Sequence, residues 1–346
     1  MKKLIEKKEV IEKKYEDNIM EYLTNHESSQ LIIPKSKLEK KVIKELLLKY
    51  SNFLSGNTKE LLDSFIGKEE IKIDINKNMR SKNPWKNRIG TYQIGEFGFT
   101  EYADTLLKQL DTEDRELLYI TARALIKLEG KTHLKDILDK ISINDKMKKN
   151  NILTLVEMID DDIRDVLDEI MKEENSLLNT LGLELYGERQ YMEGIEWINK
   201  MIFSPEKEVR IAVLKAAHKL GDVGDEEYLK KILSLEVDKE WEVRAFLAKF
   251  LINVKNTEAI NSLIRLIKDQ NWLVRYNAAN SLGNQGERGL NALINLLNSE
   301  DKFARDKAKE MIEKEIIFHK LFSNLDESLK NKLLYELKID MSGGEE

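Results

Sequence analysis

Three times in this chain a tryptophan stands three residues ahead of an arginine, as Trp85/Arg88, Trp241/Arg244 and Trp272/Arg275. Arg210 and Arg305 continue the arginine register without the tryptophan. A guanidinium is always charged and offers its donors in a planar fork. A periodic row of them can bridge neighbouring segments through carboxylates and helix-end carbonyls, or it can line up as a receptor for anions. The geometry favours a structural ladder of Arg88, Arg210, Arg244, Arg275 and Arg305, because each flanks an apolar stripe about 100° around the helix. The tryptophans are expected to pack over the repeat edge.

A second stripe carries lysine and asparagine: Ala212/Lys215/Lys219, Phe246/Lys249/Asn253, Asn277/Asn280/Asn284 and Lys307/Glu310/Lys314. It reads either as an ordinary solvated face or as a groove for an acidic or polar partner, with Phe246 as an aromatic anchor. On the second reading the partner-binding residues are Lys215, Lys219, Phe246, Lys249, Asn277 and Asn280. Reversing Lys215, Lys219 and Lys249 to glutamate is then expected to leave melting unchanged, since exposed charges alter stability by less than about 0.5 kcal/mol.

Other chemistries find little footing. His26, His133, His218 and His319 are far apart in sequence and form no i, i+4 ligand pair. Asp160, Asp161 and Asp162 precede a helix start, where carboxylates complement the positive helix end. Cysteine is absent, which removes disulfides, thiolate ligands and cysteine nucleophiles and favours an intracellular compartment. No glycine-rich phosphate loop and no Gly-x-Ser-x-Gly elbow occurs. The expectation is a chain with no catalytic residues, no cofactor and no metal. A net charge of -6 argues against general nucleic-acid affinity. No apolar stretch approaches the roughly 18 residues of a membrane span. The lysine-rich first 15 residues leave room for peripheral or anchored membrane association through the N-terminal end.

The elements that must position these residues show a strong rhythm. An apolar quartet at k, k+3, k+4 and k+7 begins at Ala103, Leu134, Ile163, Ile195, Leu229, Ile260 and Leu290, with starts 29 to 34 residues apart. Asn199 and Glu236 interrupt the fourth and fifth copies. One helical hairpin per period means an α-solenoid, in which each unit buries its face against its neighbours. Each quartet marks a first helix. Second helices follow, with Val209/Val213/Ala217, Val243/Leu247/Leu251, Val274/Ala278/Leu282 and Ala304/Ala308/Ile312 each on one face. Many alanines there suit close helix approach. Ser204 before Pro205, and Asp301, read as helix N-caps. The best strand-like run is Ile71-Lys72-Ile73-Asp74-Ile75, too little to disturb an all-α assignment, and Glu69 to Lys82 stays unassigned. Three regions follow: an N-terminal helical extension at 1–80, the repeat solenoid at 81–317, and a C-terminal capping helix with a disordered tail at 318–346, all in one continuous stack.

The segments Glu208–Asp222 (EVRIAVLKAAHKLGD) and Trp272–Gly283 (WLVRYNAANSLG) resemble second helices of HEAT repeats, in the short bacterial form also called phycobilisome-lyase HEAT-like repeats. The pattern is strong from about 205 to 312 and persists in Trp85–Gly95 (WKNRIGTYQIG); residues 114 to 190 keep only the apolar spacing. The lysine-rich leading helix, Lys44–Gly56 and Asn83-Pro84-Trp85 are also similar to bacterial HEAT proteins that carry one membrane-spanning helix and accompany cell-surface glycosyltransferases. Such a span would precede Met1. The resemblance implies a protein-interaction surface on the concave face and little else; with the charge, the absent cysteine and the absent catalytic signature, the expectation is a non-enzymatic scaffold, cytoplasmic or at the cytosolic side of a membrane, with a protein partner and no nucleic acid. The alternative from another class is a HEAT-fold DNA glycosylase for alkylated bases, which needs a basic channel around a catalytic carboxylate. Chromophore lyase activity is suggested only by the repeat's name.

Overall fold

Each of the seven apolar quartets lies on a helix, or within a residue of one, that alternates along the chain with a partner helix. The computed structural model describes residues 2–25, 34–51, 53–54, 56–66, 69–142, 147–221, 226–317 and 330–331. They form two compact units, Met1–Ile163 and Arg164–Glu346. Among the described residues all regular structure is helical. The expected boundary at 80/81 falls inside the first unit, and the capping segment at 318–346 lies almost wholly outside the described residues, as do His26 and His319.

The first unit contains α1 (Lys2–Thr24), α2 (Lys37–Ser51), α3 (Gly56–Ile66), α4 (Glu69–Met79), α5 (Pro84–Glu96), α6 (Ala103–Gln109), α7 (Arg115–Glu129), α8 (Leu134–Ser142) and α9 (Lys149–Glu157). The strand-like run at 71–75 is helical in α4. Its alternation fits a period of two, but Ile71, Ile75 and Met79 also share one helix face, and packing against α5 buries all three while Ile73 stays exposed. Asn83 caps α5 by accepting from Trp85 N and Lys86 N, with Pro84 in the first turn, where its missing N–H costs nothing. Asp114 caps α7 in the same manner.

The second unit contains α10 (Arg164–Ile170), α11 (Ser176–Glu188), α12 (Gly194–Met201), α13 (Lys207–Leu220), α14 (Glu226–Leu233), α15 (Trp241–Phe250), α16 (Thr257–Leu266), α17 (Trp272–Gly283), α18 (Gly286–Leu296) and α19 (Lys302–Ile317). Here the second helices stack in order, α11 on α13, α13 on α15, α15 on α17 and α17 on α19. The aligned positions Val209, Val213, Ala217, Val243, Leu247, Leu251, Val274, Ala278, Leu282, Ala304, Ala308 and Ile312 are all buried. Asp301 caps α19 through Ala304 N. Pro205 does not open α13, which begins two residues later at Lys207 with Glu206 as its cap residue. Ser204 Oγ instead accepts from Glu206 N in the preceding turn. A polar brace joins α10 to α11 and α12: Asp168 accepts from the Tyr186 hydroxyl at 2.5 Å and the Trp197 indole at 2.9 Å. The Tyr186 hydrogen bond, then that of Trp197, holds the Asp168 carboxyl below its ordinary value.

Close approach of stacked helices depends on a missing side chain at equivalent places in both units. A Cβ on Gly95 of α5 would stand 2.7 Å from Ala124 Cα of α7, and one on Gly187 of α11 would stand 3.0 Å from Ala216 Cα of α13. Alanine is the better helix former by about 1 kcal/mol, yet overpacking against backbone costs about 1 to 3 kcal/mol. Gly95→Ala should therefore lower the unfolding free energy, measured by chemical denaturation, by a net of about 1 kcal/mol. A stabilised variant would mean that α5 and α7 can slide apart freely.

Candidate functional site

Arg210, Arg244, Arg275 and Arg305 sit in the first turns of α13, α15, α17 and α19, and each turns Nη1 back onto the carbonyls six and five residues earlier. These carbonyls belong to the turn linking the two helices of the hairpin, so the guanidinium ties that turn to the helix it precedes.

The other edge of the fork reaches the next repeat. Arg210 Nε and Nη2 donate to Asp238 at 2.7 and 2.9 Å, and Arg244 Nε and Nη2 donate to Asp269 at 2.6 and 3.0 Å. Asp238 and Asp269 each also accept from a backbone N–H in their own turn, that of Glu240 and Asn271. At the next step Ser299 occupies the place of the aspartate. Arg275 has no carboxylate partner among the described residues and lies 4.3 Å from the Phe303 ring centroid instead. In the first unit Arg88 makes a bidentate pair with Asp114, at 2.7 to 3.0 Å, and also meets Glu116. Burial pushes the Asp269 carboxyl up, but the Arg244 hydrogen bond, the Asn271 amide and the two nearby arginine charges outweigh it, leaving the carboxyl below its ordinary value. Asp238 and Asp269 were the residues that sequence reasoning missed. Their signal was present, as an aspartate six residues before Arg244 and Arg275.

The lysine and asparagine stripe proves to be largely occupied. Lys215 pairs with the nearly buried Glu184 at 3.3 Å and Lys219 with Glu188 at 3.1 Å, so α13 is stitched to α11. Asn277 donates to Ala245 O at 2.9 Å. Ser281, one turn further along α17, and Gln285, just past its end, donate to Ala248 O, Leu251 O and Val254 O. Asn253 reaches the His218 carbonyl and ring at 3.2 Å. Burial, then the charges of Lys249 and Lys219, lowers the His218 pKa, favouring the neutral ring. Equivalent stitching occurs in the first unit, where Arg123 and Lys127 of α7 meet buried Glu96 of α5.

What remains outward is a smaller surface. Phe246 is half-buried with the Lys215 ammonium 5.0 Å from its ring centroid. Lys249 is exposed with no ion-pair partner among the described residues, and Asn280 is partly exposed. Tyr276 is also exposed, with Lys307 at 4.9 Å from its ring centroid. Trp85 and Trp272 do not pack over the repeat edge, at 69% and 66% exposed, whereas Trp241 is less open, at 38% exposed. Among the described residues no three His, Asp or Glu side chains are grouped to hold a metal ion. His133 is taken up by Glu129 and Asp136. No helix of the described residues is long and apolar enough to cross a membrane.

Residues 226–313, from α14 into α19, match the HEAT-repeat family profile. This stretch is built of HEAT repeats. No curated protein sequence resembles the chain closely enough to count as a relative. Among solved structures, an engineered protein is similar over 93% of this chain and 97% of its own, at 14% identity and a TM-score of 0.39. Human deoxyhypusine hydroxylase, solved with glycerol, is similar over 88% of this chain and 96% of its own, at 12% identity and a TM-score of 0.30. Kap95p, from a structure on how its binding switches the loops of RanGDP, is similar over 92% of this chain and 47% of its own, at 9% identity and a TM-score of 0.40. At such scores nothing about activity or partners carries over.

The ion pairs between second helices change one expectation. Reversing Lys215 places a carboxylate beside Glu184, whose side chain is only 8% exposed and cannot turn freely to water. Because Lys215 itself is 39% exposed, the loss is discounted from buried-pair values to about 1 to 2 kcal/mol. Lys215→Glu should therefore lower the melting temperature of the second unit, whereas Lys249→Glu should not. Equal melting of both variants would show that the Glu184 pair contributes nothing.

Proposed function

We propose that this protein is a non-enzymatic scaffold that holds a protein partner against the second helices of its HEAT repeats, without a cofactor or a metal. One observation carries the reading. On a face where polar side chains otherwise stitch neighbouring repeats, Phe246 stays half-buried beneath a lysine and Lys249 stays exposed and unpaired among the described residues. An aromatic side chain and a cation that folding does not consume are the ingredients of an interface anchor. Asn280 and Tyr276 on α17 extend this surface into the next repeat. The charge suits an acidic or polar segment.

The finer parts of the reading rest on sequence. The absence of cysteine among 346 residues suits a reducing compartment, and the scaffold is placed in the cytoplasm. The resemblance of Glu208–Asp222 and Trp272–Gly283 to short bacterial HEAT-like repeats supports a bacterial origin. The lysine-rich α1 supports recruitment to the cytosolic side of a membrane by the N-terminal end.

The test is affinity capture from the native host with the wild-type chain and with a Phe246→Ala/Lys249→Glu variant, alongside a DNA-binding assay across salt. The expected outcome is a protein retained by the wild type and reduced at least tenfold by the variant. Lys249→Glu alone should hold its melting within about 0.5 kcal/mol. Undiminished capture by the variant overturns the assignment of this face. Salt-dependent DNA binding with base release would favour the glycosylase instead.

A further inference from the structure

The first unit holds a cavity of about 370 Å³ that the scaffold reading does not use. Lys37, Lys40, Lys41 and Lys44 all line it. They occupy positions i, i+3, i+4 and i+7 of α2, which places four like charges on one helix face. The other face of α2 buries Val42, Ile43, Leu46 and Leu47, so the helix cannot rotate to disperse the lysines. Asp74 and Asn78 of α4 and Gln93 of α5 complete the polar walls.

Asp74 and Glu45 also line the recess and match part of this charge, and Lys40 is engaged in an interaction of its own. Lys44, 9% exposed, is held by Asp74 at 3.2 Å. Glu45 accepts Lys8 at 2.8 Å and stands 3.9 Å from Lys41, so its charge is shared with a lysine outside the cavity. Lys37 has no carboxylate partner among the described residues. In the wall, Gln93 keeps a buried amide oxygen with no hydrogen-bond partner. A recess lined by four lysines against two carboxylates suits a compact, multiply charged anion, and the volume lies in the range of small-ligand pockets.

We propose that this cavity binds a phosphate group, carried either by a small soluble molecule or by a lipid headgroup. A phosphate spreads its charge over several oxygens and can meet more than one ammonium group at once, with the rim lysines Lys37 and Lys41 the ones open to it. The Gln93 side-chain amide in the wall also presents N–H donors suited to a phosphate oxygen. The site belongs to the first unit and is independent of the partner face on α13, α15 and α17.

The experiment uses the full chain and two probes: inorganic pyrophosphate by titration calorimetry, and phosphatidylcholine vesicles with and without phosphatidylglycerol by sedimentation. The variant Lys37→Gln/Lys41→Gln alters exposed rim lysines, and Lys255→Gln/Lys268→Gln removes equal charge from the second unit. Saturable binding of pyrophosphate, weakened at least tenfold by the rim variant and unchanged by the control, supports a soluble phosphate ligand. Sedimentation that requires phosphatidylglycerol, is lost in the rim variant and is competed by pyrophosphate supports a headgroup. No saturable binding to either probe overturns the proposal, and so does binding that both variants weaken equally.

Discussion

Hairpin repeats share no common centre, so each must be fastened to the one before it and the one after it. In the second unit that fastening is the guanidinium fork spanning α13, α15 and α17. Arg210 and Arg244 hold their own hairpin turn with one edge and the next repeat's aspartate with the other. Asp238 and Asp269 in turn accept a backbone N–H of their own turn. Turn geometry, helix start and repeat spacing are thereby one hydrogen-bonded network rather than three separate features. The Arg210 and Asp238 side chains are only 7% and 8% exposed. Such a pair tolerates its desolvation because both ends of the charge are multiply hydrogen-bonded.

The same economy shapes the face of the second helices. Lysines 31 residues beyond a glutamate, at Lys215/Glu184 and Lys219/Glu188, spend their charge on stacking. Asn277, Ser281 and Gln285 spend their donors on carbonyls of the preceding repeat. A surface that looks polar in sequence is thus mostly committed to holding the stack. Recognition is left to the few groups that stacking does not absorb, which is why the proposed partner face contracts to the region around Phe246, Lys249 and Asn280.

Much of the fold was legible because its signals are local. The apolar quartets mark first helices from Ala103 to Leu290, and the Val209, Val243, Val274 and Ala304 alignment marks the buried face of the second helices, since both depend only on helical periodicity within one segment. The acceptors of the arginine forks were harder to see, lying 28 and 25 residues away in another turn. The glutamate partners of Lys215 and Lys219 escaped for the same reason. Residues 71–75 stayed unassigned because a five-residue alternation of isoleucine fits strand and helix alike until packing on α5 decides. The exposed Trp85 and Trp272 show that register alone does not say whether a first-turn side chain meets a neighbour.

If the forks fasten the repeats, Arg244 and Asp269 must be energetically coupled and not merely adjacent. A double-mutant cycle on Arg244→Ala and Asp269→Ala, followed by chemical denaturation, measures that coupling directly. The structure predicts an interaction energy of roughly 1.5 to 3 kcal/mol, because each single variant already loses the shared bond. Additive effects within about 0.5 kcal/mol would contradict it, and would leave apolar packing alone to hold one repeat on the next.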